Sequence, residues 1–234
     1  MGLKNLALWV DSPYQNDVLF DPLSPLNRDN CLSPFRLLKA RLAEKGWDCH
    51  TWDIYKSQGV LPDGVFFNDI PKIPFALLLG GWKGKIKRFV VLNECEIIKP
   101  GNWNLKTHAQ FDAIFTWSER LVDNKKYFKT NFSNTFPESM PDVRRLKEKF
   151  CVMIAANKKR LHPLELYSER KKTVRWFEDN HPGDFDLYGA LWDRCAFGGP
   201  AFMRLLNRVK PLTKLLAPYF PSYKGLIAAK RPVL

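Results

Sequence analysis

Short apolar runs recur along the first half of the chain, each bounded by polar residues, glycine or proline. Runs of this length predict buried strands rather than helices. The runs that predict strands span residues 6–10, 47–55, 64–70, 87–96 and 111–117. The run at 87–96, KRFVVLNECE, is the clearest buried strand, and the run at 47–55 alternates between apolar and polar residues.

Two segments next to these runs are predicted to be helices, the first with clear start and stop signals. Segment 33–46 opens with Ser33 as the expected N-cap and Pro34 at the first helical position, and Gly46 lies just past its end. Segment 118–128 predicts a second helix. Strands that alternate with helices predict an α/β domain with a parallel sheet of Rossmann type. No GxGxxG motif follows the first strand, so the dinucleotide-binding fingerprint is absent.

A polar stretch with two prolines predicts a domain boundary near the middle of the chain. Residues 136–149 are expected to link an N-terminal Rossmann-like domain, 1–135, to a second unit, 150–234. Strands are predicted there at 150–157 and 184–189, with a helix between them. Only about 45 residues follow the second strand, whereas such a domain needs ~100 or more. The second Rossmann-type unit is therefore expected to be incomplete.

The chain is strongly basic, with a formal net charge of +13, and no acidic residue follows Asp193. Such an excess of positive charge favours an anionic partner. The partner could be nucleic acid, an anionic lipid surface or a phosphorylated small molecule. Segment 200–220 interleaves leucine and phenylalanine with basic residues. It is either an ordinary surface segment or a peripheral contact with an anionic membrane.

Cysteine usage points to a reducing compartment. The chain has five cysteines, which are widely spaced and form no CxxC pair, and its four histidines show no metal-ligand spacing with them. We therefore expect reduced thiols, with neither a disulfide framework nor a zinc site. The N-terminal apolar run is too short for a signal peptide, so a cytoplasmic location, with membrane-peripheral contact as an option, is predicted.

Two carboxylates follow the clearest predicted strand. Strand alternation would place Glu94 and Glu96 on one face and Cys95 on the other. Strand ends of α/β proteins deliver side chains to the crevice in which ligands bind. The two carboxylates therefore either solvate the end of the strand or supply a general base, and their spacing does not decide between these roles.

A basic residue interrupts an apolar helix face in the second unit. On a helix over 166–177, Val174 and Phe177 share a face with Arg170. Because a desolvated, unpaired charge is costly, Arg170 is expected to meet either an anionic ligand or a carboxylate of a neighbouring layer. The preceding loop, which contains Lys158, is either a solvated loop or a phosphate site at the helix N-terminus.

Three stretches resemble bacterial members of the α-1,3/4-fucosyltransferase family, glycosyltransferase family ten. They are CVMIAANKKRLHPLELYSERKKTVRWFEDNHPGDFDLYG, VVLNECEIIKPGNWNLKTHAQFDAIFTWSERLVDNKKYF and SYKGLIAAKRPVL. The first, residues 151–189, is the most specific match and looks like the start of the nucleotide-sugar-binding domain. The resemblance implies a GT-B fold, which has two Rossmann-like domains. The family's phenylalanine–glutamate–asparagine–serine segment is missing, so the resemblance implies a chain truncated before the C-terminal donor-binding motif.

The resemblance also implies roles for particular residues. Glu94 matches the family's general base best, and Glu96 is a near alternative. Asn157 occupies the place of an asparagine at the end of the donor-domain strand, with Lys158 beside it, and Arg170 matches an arginine that contacts the phosphates of GDP. No metal or other cofactor is implied.

The expected activity is transfer of fucose from GDP-fucose, with inversion, to a hydroxyl of a glycan or lipid-linked oligosaccharide, as in lipopolysaccharide assembly or glycosylation of other surface molecules. The truncation leaves a second hypothesis, a non-catalytic module that binds a glycan or an anionic lipid. A nucleic-acid-binding protein is the third hypothesis and has the least support, because acidic residues are interleaved with the basic ones over most of the chain.

Overall fold

The computed structural model describes residues 4–82, 86–132, 139, 142, 148–192 and 205–216. The chain divides into two compact units, Met1–Glu138 (unit 1) and Ser139–Leu234 (unit 2). Most of the predicted linker at 136–149 lies outside the described residues, as do the ends of segment 200–220 and the whole of SYKGLIAAKRPVL. No helix in the described part of the chain is long and apolar enough to cross a membrane.

Unit 1 is built on a six-stranded sheet in which every pairing is parallel. Its strands are β1 (Lys4–Trp9), β2 (Trp47–Thr51), β3 (Gly64–Asn68), β4 (Lys87–Leu92), β5 (Ala113–Thr116) and β6 (Tyr127–Lys129). Their order across the sheet is β2-β1-β3-β4-β5-β6. The helices are α1 (Ser33–Glu44), α2 (Trp52–Gln58), α3 (Phe75–Leu79) and α4 (Leu105–His108). Unit 1 therefore has the Rossmann-like α/β fold that the alternating pattern predicts.

Both faces of this sheet are covered, as a parallel sheet requires. Alternate residues of β1 point in opposite directions: Ala7 and Trp9 join a cluster with residues of α2 and α3. Leu6 and Leu8 join a second cluster, against which partly buried side chains of α1 pack. The continuous apolar runs of the sequence, such as that of β1, thus reflect burial on two sides, whereas the alternating run at 47–55 belongs to β2 at the edge of the sheet.

The ends of several elements differ from the prediction. The strand predicted at 47–55 ends at Thr51, and α2 begins directly after it and ends before Gly59, which has a left-handed φ of 67°. Such a glycine is a common helix terminator. The N-cap of α1 is Leu32, whereas the prediction assigned that place to Ser33.

The helix predicted at 118–128 is wrong: turns lead from β5 into β6 instead. The Asp123 carboxylate accepts hydrogen bonds from the backbone N–H groups of Lys125, Lys126 and Tyr127 at 2.8 to 2.9 Å. Asn124 adopts a left-handed φ of 55°. Aspartate and asparagine side chains compete with helical hydrogen bonding in this way, so a turn forms in place of a helix.

Unit 2 contains a smaller parallel pair of strands, β7 (Cys151–Ile154) and β8 (Phe185–Tyr188), connected through α5 (Tyr167–Asn180). A further short helix, α6, spans Lys210–Leu215. Val174 and Phe177 of α5 pack against Phe185, Leu187 and Trp192 in one buried cluster. This is the strand–helix–strand arrangement predicted for the second unit, with shorter strands.

Candidate functional site

The carboxyl ends of β3 and β4 are joined by a buried carboxylate. Asp69, directly after β3, is buried and has a left-handed φ of 66°. Its Oδ1 accepts hydrogen bonds from the backbone N–H groups of Asn93 at 2.7 Å and Glu94 at 3.2 Å. These two N–H groups follow the last residue of β4, so Asp69 determines the path of the chain where it leaves that strand.

Asn102 completes this connection from a fully buried position. Its Nδ2 donates to Asp69 Oδ1 at 2.6 Å and to the carbonyl oxygen of Glu94 at 3.3 Å. Its Oδ1 accepts the backbone N–H of Ile70 at 3.0 Å. One side chain therefore bonds both the loop that follows β3 and the loop that follows β4, and a buried amide with all of these partners is a rigid support.

His108 is hydrogen-bonded to the backbone of Asn102. Its ring Nε2 lies 2.8 Å from the carbonyl oxygen of Asn102, and its Nδ1 lies 3.2 Å from the hydroxyl of Tyr127. Burial lowers the pKa of His108, which favours the neutral ring. Because a carbonyl only accepts, Nε2 carries the proton and donates, while Nδ1 accepts from Tyr127. The histidine thus acts as a structural link and has no charge to offer a ligand.

Glu94 and Glu96 both lie beyond the end of β4, because that strand stops at Leu92. The strand alternation that would put them on one face therefore does not apply, since Asp69 has taken the N–H groups that would extend the ladder. Both side chains are exposed. The backbone of Glu94 is held firmly, but its carboxylate forms no hydrogen bond or ion pair with the described residues.

Two tryptophans flank the backbone at Asn93 and Glu94. Trp103 Nε1 donates to the carbonyl oxygen of Glu94 at 3.1 Å, and Trp117 Nε1 donates to that of Asn93 at 3.2 Å. The two indoles meet edge to face, with ring centroids 5.4 Å apart. Trp117 remains 37% exposed and Trp103 is half-buried, so this aromatic pair is held at the surface against the backbone of the loop that carries Glu94.

A shallow groove of about 240 Å³ lies next to the Asp69–Asn102 connection. Its wall includes Ile70, whose N–H Asn102 binds, together with Phe75, Thr107 and Gln110. The groove, the buried amide and the exposed carboxylates therefore occupy one region at the carboxyl edge of the sheet, where α/β proteins bind ligands.

A separate polar network joins the loop after β1 to β2. Asp17 Oδ1 accepts the backbone N–H of Thr51 at 2.8 Å, and Asp17 Oδ2 lies 2.5 Å from His50 Nδ1 and 3.4 Å from Lys39 Nζ. The other ring nitrogen of His50 lies 3.3 Å from Asp48. Burial acts to raise the pKa of Asp17, but the bonds from Thr51 and His50 and the charge of Lys39 outweigh it and lower that pKa. The carboxylate is thus bound into the fold in its ionised form.

In unit 2, the loops that follow β7 and β8 are bonded to each other. The backbone N–H of Asn157 donates to the Ala190 carbonyl oxygen at 2.9 Å, and its side-chain Nδ2 donates to the Leu191 carbonyl oxygen at 3.1 Å. The buried Trp192 donates from Nε1 to Ala155. Asn157 therefore has a definite role in joining the loops, whereas Lys158 beside it is exposed.

Arg170 reaches this loop from the first turn of α5. Its Nη1 donates to the carbonyl oxygen of Ala156 at 3.2 Å, and its guanidinium carbon lies 5.3 Å from the centre of the Tyr167 ring. The residue is half-buried, and no ion pair among the described residues includes it. The sequence predicted that Arg170 meets either an anionic ligand or a carboxylate of the protein. In the described part of the chain it has no such carboxylate partner.

The N-terminus of α5, for which the sequence left open a solvated loop or a phosphate site, already contacts a carboxylate. The N-cap residue is Leu166, and the carboxylate of Glu165 accepts both the N–H of Ser168 in the first turn, at 3.0 Å, and the hydroxyl of that residue. These bonds lower the pKa of Glu165, the hydroxyl bond having the largest effect. A carboxylate already occupies the place that an anionic ligand would take, so any anion in this region would depend on Arg170 rather than on the helix terminus.

Among the described residues, no group of three or more histidine, cysteine, aspartate or glutamate side chains is arranged to hold a metal ion. The four described cysteines are free thiols. No protein-family model, no curated protein and no solved structure matches the chain.

Sequence reasoning missed the residues that organise the unit 1 region. It singled out the exposed Glu94 and Glu96 and overlooked Asp69 and Asn102. A signal for Asp69 was present, since the segment FFNDIP ends a predicted strand with two polar residues. Asn102 has no such signal, because its partners are 8 to 33 residues distant along the chain.

Proposed function

We propose that the chain is a fucosyltransferase-like protein of GT-B architecture, in which unit 2 binds GDP-fucose and unit 1 binds the glycan acceptor. The observation that carries the proposal is the setting of Arg170. Its guanidinium is half-buried, lies over the loop after β7 and has no carboxylate partner among the described residues. Together with the resemblance of residues 151–189 to the family's donor-binding domain, this supports a site for a diphosphate.

On the donor side, Arg170 would bind the pyrophosphate of GDP. Only Nη1 is bonded to a described residue, which leaves other N–H donors of the planar guanidinium for two phosphate oxygens. The loop connection made by Asn157 would hold the Ala156 carbonyl, and through it the guanidinium, in position. Lys158 is exposed and would add positive charge at the mouth of this site.

On the acceptor side, Glu94 would act as the general base, with Glu96 as the near alternative. The acceptor hydroxyl gives its proton to the carboxylate while its oxygen attacks the anomeric carbon of fucose. The bond from that carbon to the β-phosphate oxygen breaks, GDP leaves with the electron pair, and the configuration inverts. Arg170 would stabilise the negative charge that develops on GDP. The acceptor class is a glycan or lipid-linked oligosaccharide, with peripheral membrane contact.

A second candidate is a non-catalytic module that binds a glycan or an anionic lipid. The specific observation in its favour is that the carboxylates of Glu94 and Glu96 are exposed and that no described residue orients either of them. Catalytic groups are commonly held by hydrogen bonds to neighbours. In this case unit 1 would bind sugar without transferring fucose to it.

Calorimetric titration with GDP-fucose tests the proposal. We expect binding that Arg170→Ala weakens at least about tenfold, the loss expected for one charge-assisted contact. Lys172→Ala is the matched control, because it removes the same charge from an exposed position of the same helix, and it should leave the affinity unchanged. Absence of GDP-fucose binding, or equal effects of the two variants, would refute the donor site.

A transfer assay separates the two candidates. Radiolabelled fucose should pass from GDP-fucose to an oligosaccharide with the unaltered chain, and Glu94→Gln should abolish this transfer while leaving GDP-fucose binding intact. If GDP-fucose binds but no label is transferred to any oligosaccharide offered, the non-catalytic module is the better description.

A further inference from the structure

Trp117, which is exposed, and the half-buried Trp103 form an aromatic pair that the proposed roles of Glu94 and Arg170 do not use. The two side chains come from different parts of the chain, Trp103 from the turn before α4 and Trp117 from the end of β5. They meet edge to face at 5.4 Å. An indole at the surface leaves apolar area in contact with water. When such a ring is also held rigidly next to polar groups, its exposed apolar area indicates a binding surface.

Both rings are held by hydrogen bonds as well as by contact with each other. Their N–H groups donate to the backbone carbonyls of Asn93 and Glu94. The carbonyl of Trp117 in turn accepts a hydrogen bond from Lys129 Nζ at 2.9 Å, and that ammonium also bonds Glu119. A side chain fixed in this way loses little conformational entropy when a ligand covers it, so its apolar area contributes to binding.

The loop that the indoles hold carries two side chains that accept hydrogen bonds. The exposed carboxylates of Glu94 and Glu96 lie on the same loop that the tryptophans hold. An ionised carboxylate only accepts hydrogen bonds, so it suits a ligand rich in hydroxyl groups. It also repels phosphate, which disfavours a nucleotide at this place even though a base would stack on an indole.

From this combination we infer that Trp103 and Trp117 form a pyranose-binding subsite, in which the C–H face of a sugar ring lies on an indole and its hydroxyls bond Glu94 or Glu96. A pyranose has an apolar face and a hydroxyl edge, and the surface offers one partner for each. The inference rests on the proposed function, since it assigns the glycan acceptor to these two aromatic residues.

Fluorine NMR of the full chain labelled with 5-fluorotryptophan tests the inference directly. Resonances are assigned by single replacement, and N-acetyllactosamine is the probe. Its addition should shift the signals of Trp103 and Trp117, with an affinity on the order of millimolar. Trp176 is the control, because it is 52% exposed in unit 2 and packs on Phe177, and its signal should not move.

Variants then measure the contribution of each ring. Trp117→Ala should weaken sugar binding about tenfold or more, by analogy with the loss of a stacked base on an aromatic side chain, and Trp176→Ala should not change it. Trp117→Phe keeps a stacking ring but loses the N–H donor, so it should retain part of the affinity. If loss of the whole indole disturbs the fold, Trp117→Phe still shows whether an aromatic ring at this position binds the sugar.

The outcomes separate the inference from the proposed function. If GDP-fucose binds to the chain but the sugar moves neither Trp103 nor Trp117, the subsite is wrong and the donor site stands. If the sugar shifts both signals and GDP-fucose does not bind, the subsite stands and the transferase proposal fails. Shifts of these two signals on addition of GDP alone would show that the rings take a base, and would overturn the inference.

Discussion

Gly189 approaches the backbone of Ala155 so closely that a β-carbon on Gly189 would lie 2.1 Å from the Ala155 carbonyl oxygen. The same carbonyl oxygen accepts the indole N–H of the buried Trp192. The loops after β7 and β8 are therefore in direct backbone contact, and the contact lies beside Asn157 and the carbonyl that binds Arg170. The geometry of the proposed donor site depends on this glycine.

Gly189→Ala should strongly destabilise unit 2. The φ of Gly189 is 135°, which a residue with a β-carbon rarely adopts, and the clash is with backbone rather than with a movable side chain. We expect a loss of about 2–5 kcal/mol in the free energy of unfolding, measured by urea denaturation. Gly183→Ala is the matched control, since nothing lies within 4 Å of a β-carbon there. Similar losses in the two variants would contradict the close approach.

The cysteines should differ sharply in their reactivity. Burial raises the pKa of the Cys49 thiol to about 12, and its side chain is 1% exposed, whereas Cys31 is exposed. Because the thiolate is the reactive form, iodoacetamide should modify Cys31 at least about 1,000-fold faster at mildly alkaline pH. Peptide mapping by mass spectrometry measures both rates, with Cys31→Ser as the control for the assignment. Rapid labelling of Cys49 in the folded chain would show that β2 is not buried as described.

The fold of unit 1 was predictable because its strands are buried on both faces. Continuous apolar runs such as that of β4 are read directly from the sequence, and the parallel arrangement follows from the helices between them. The ends of elements were less predictable. The helix expected at 118–128 is replaced by turns because the Asp123 carboxylate accepts hydrogen bonds from three backbone N–H groups. Helix propensity alone does not show whether such side-chain bonds or helical backbone bonds will form.

The candidate site was predictable only in its surface residues. Glu94 and Arg170 could be found in the sequence because a charge next to an apolar run is conspicuous. Asn102 could not be found, because the sequence does not distinguish a buried asparagine from an exposed one. Its role depends on partners in two distant segments, the loop after β3 and the loop after β4. Likewise, the pairing of Trp103 with Trp117 arises from the sheet, which brings the end of β5 next to the loop after β4.

Unit 1 should lose stability in acid through Asp17. The pKa of this carboxyl is lowered from its ordinary value of 3.8 in the folded state. Its contribution is therefore fully present above that value and is lost as the pH falls through the lower folded-state pKa. Asp17→Asn should reduce the free energy of unfolding by about 1–3 kcal/mol at neutral pH, and the difference from the unaltered chain should vanish in strong acid.

Urea midpoints measured across the pH range test this dependence. Asp11→Asn is the control, because Asp11 is exposed and its carboxylate has no hydrogen-bond partner among the described residues. It should leave the profile unchanged. A difference between Asp17→Asn and the unaltered chain that stays constant down to the lowest pH would contradict the ionised state of Asp17, and would assign the effect to packing.

Asn102→Ala should damage the support of Glu94 more than it damages the fold as a whole. The change removes both donors to Asp69 and Glu94, which keep other hydrogen bonds. It also removes the acceptor of the Ile70 N–H, and leaving a buried donor without its acceptor is costly. We expect a loss of about 2–4 kcal/mol in the free energy of unfolding. Asn104→Ala is the matched control, since that exposed side chain only caps α4 through the Lys106 N–H, and its loss should be about 1 kcal/mol.

Amide hydrogen exchange distinguishes a local support from general stability. In Asn102→Ala, the N–H groups of Asn93 and Glu94 should exchange faster relative to amides in the middle of β4, because Asp69, which binds both, loses its own hydrogen bond from Asn102. In Asn104→Ala that ratio should not change. If exchange in Asn102→Ala rises equally throughout unit 1, Asn102 stabilises the fold globally and does not specifically position the backbone that presents Glu94.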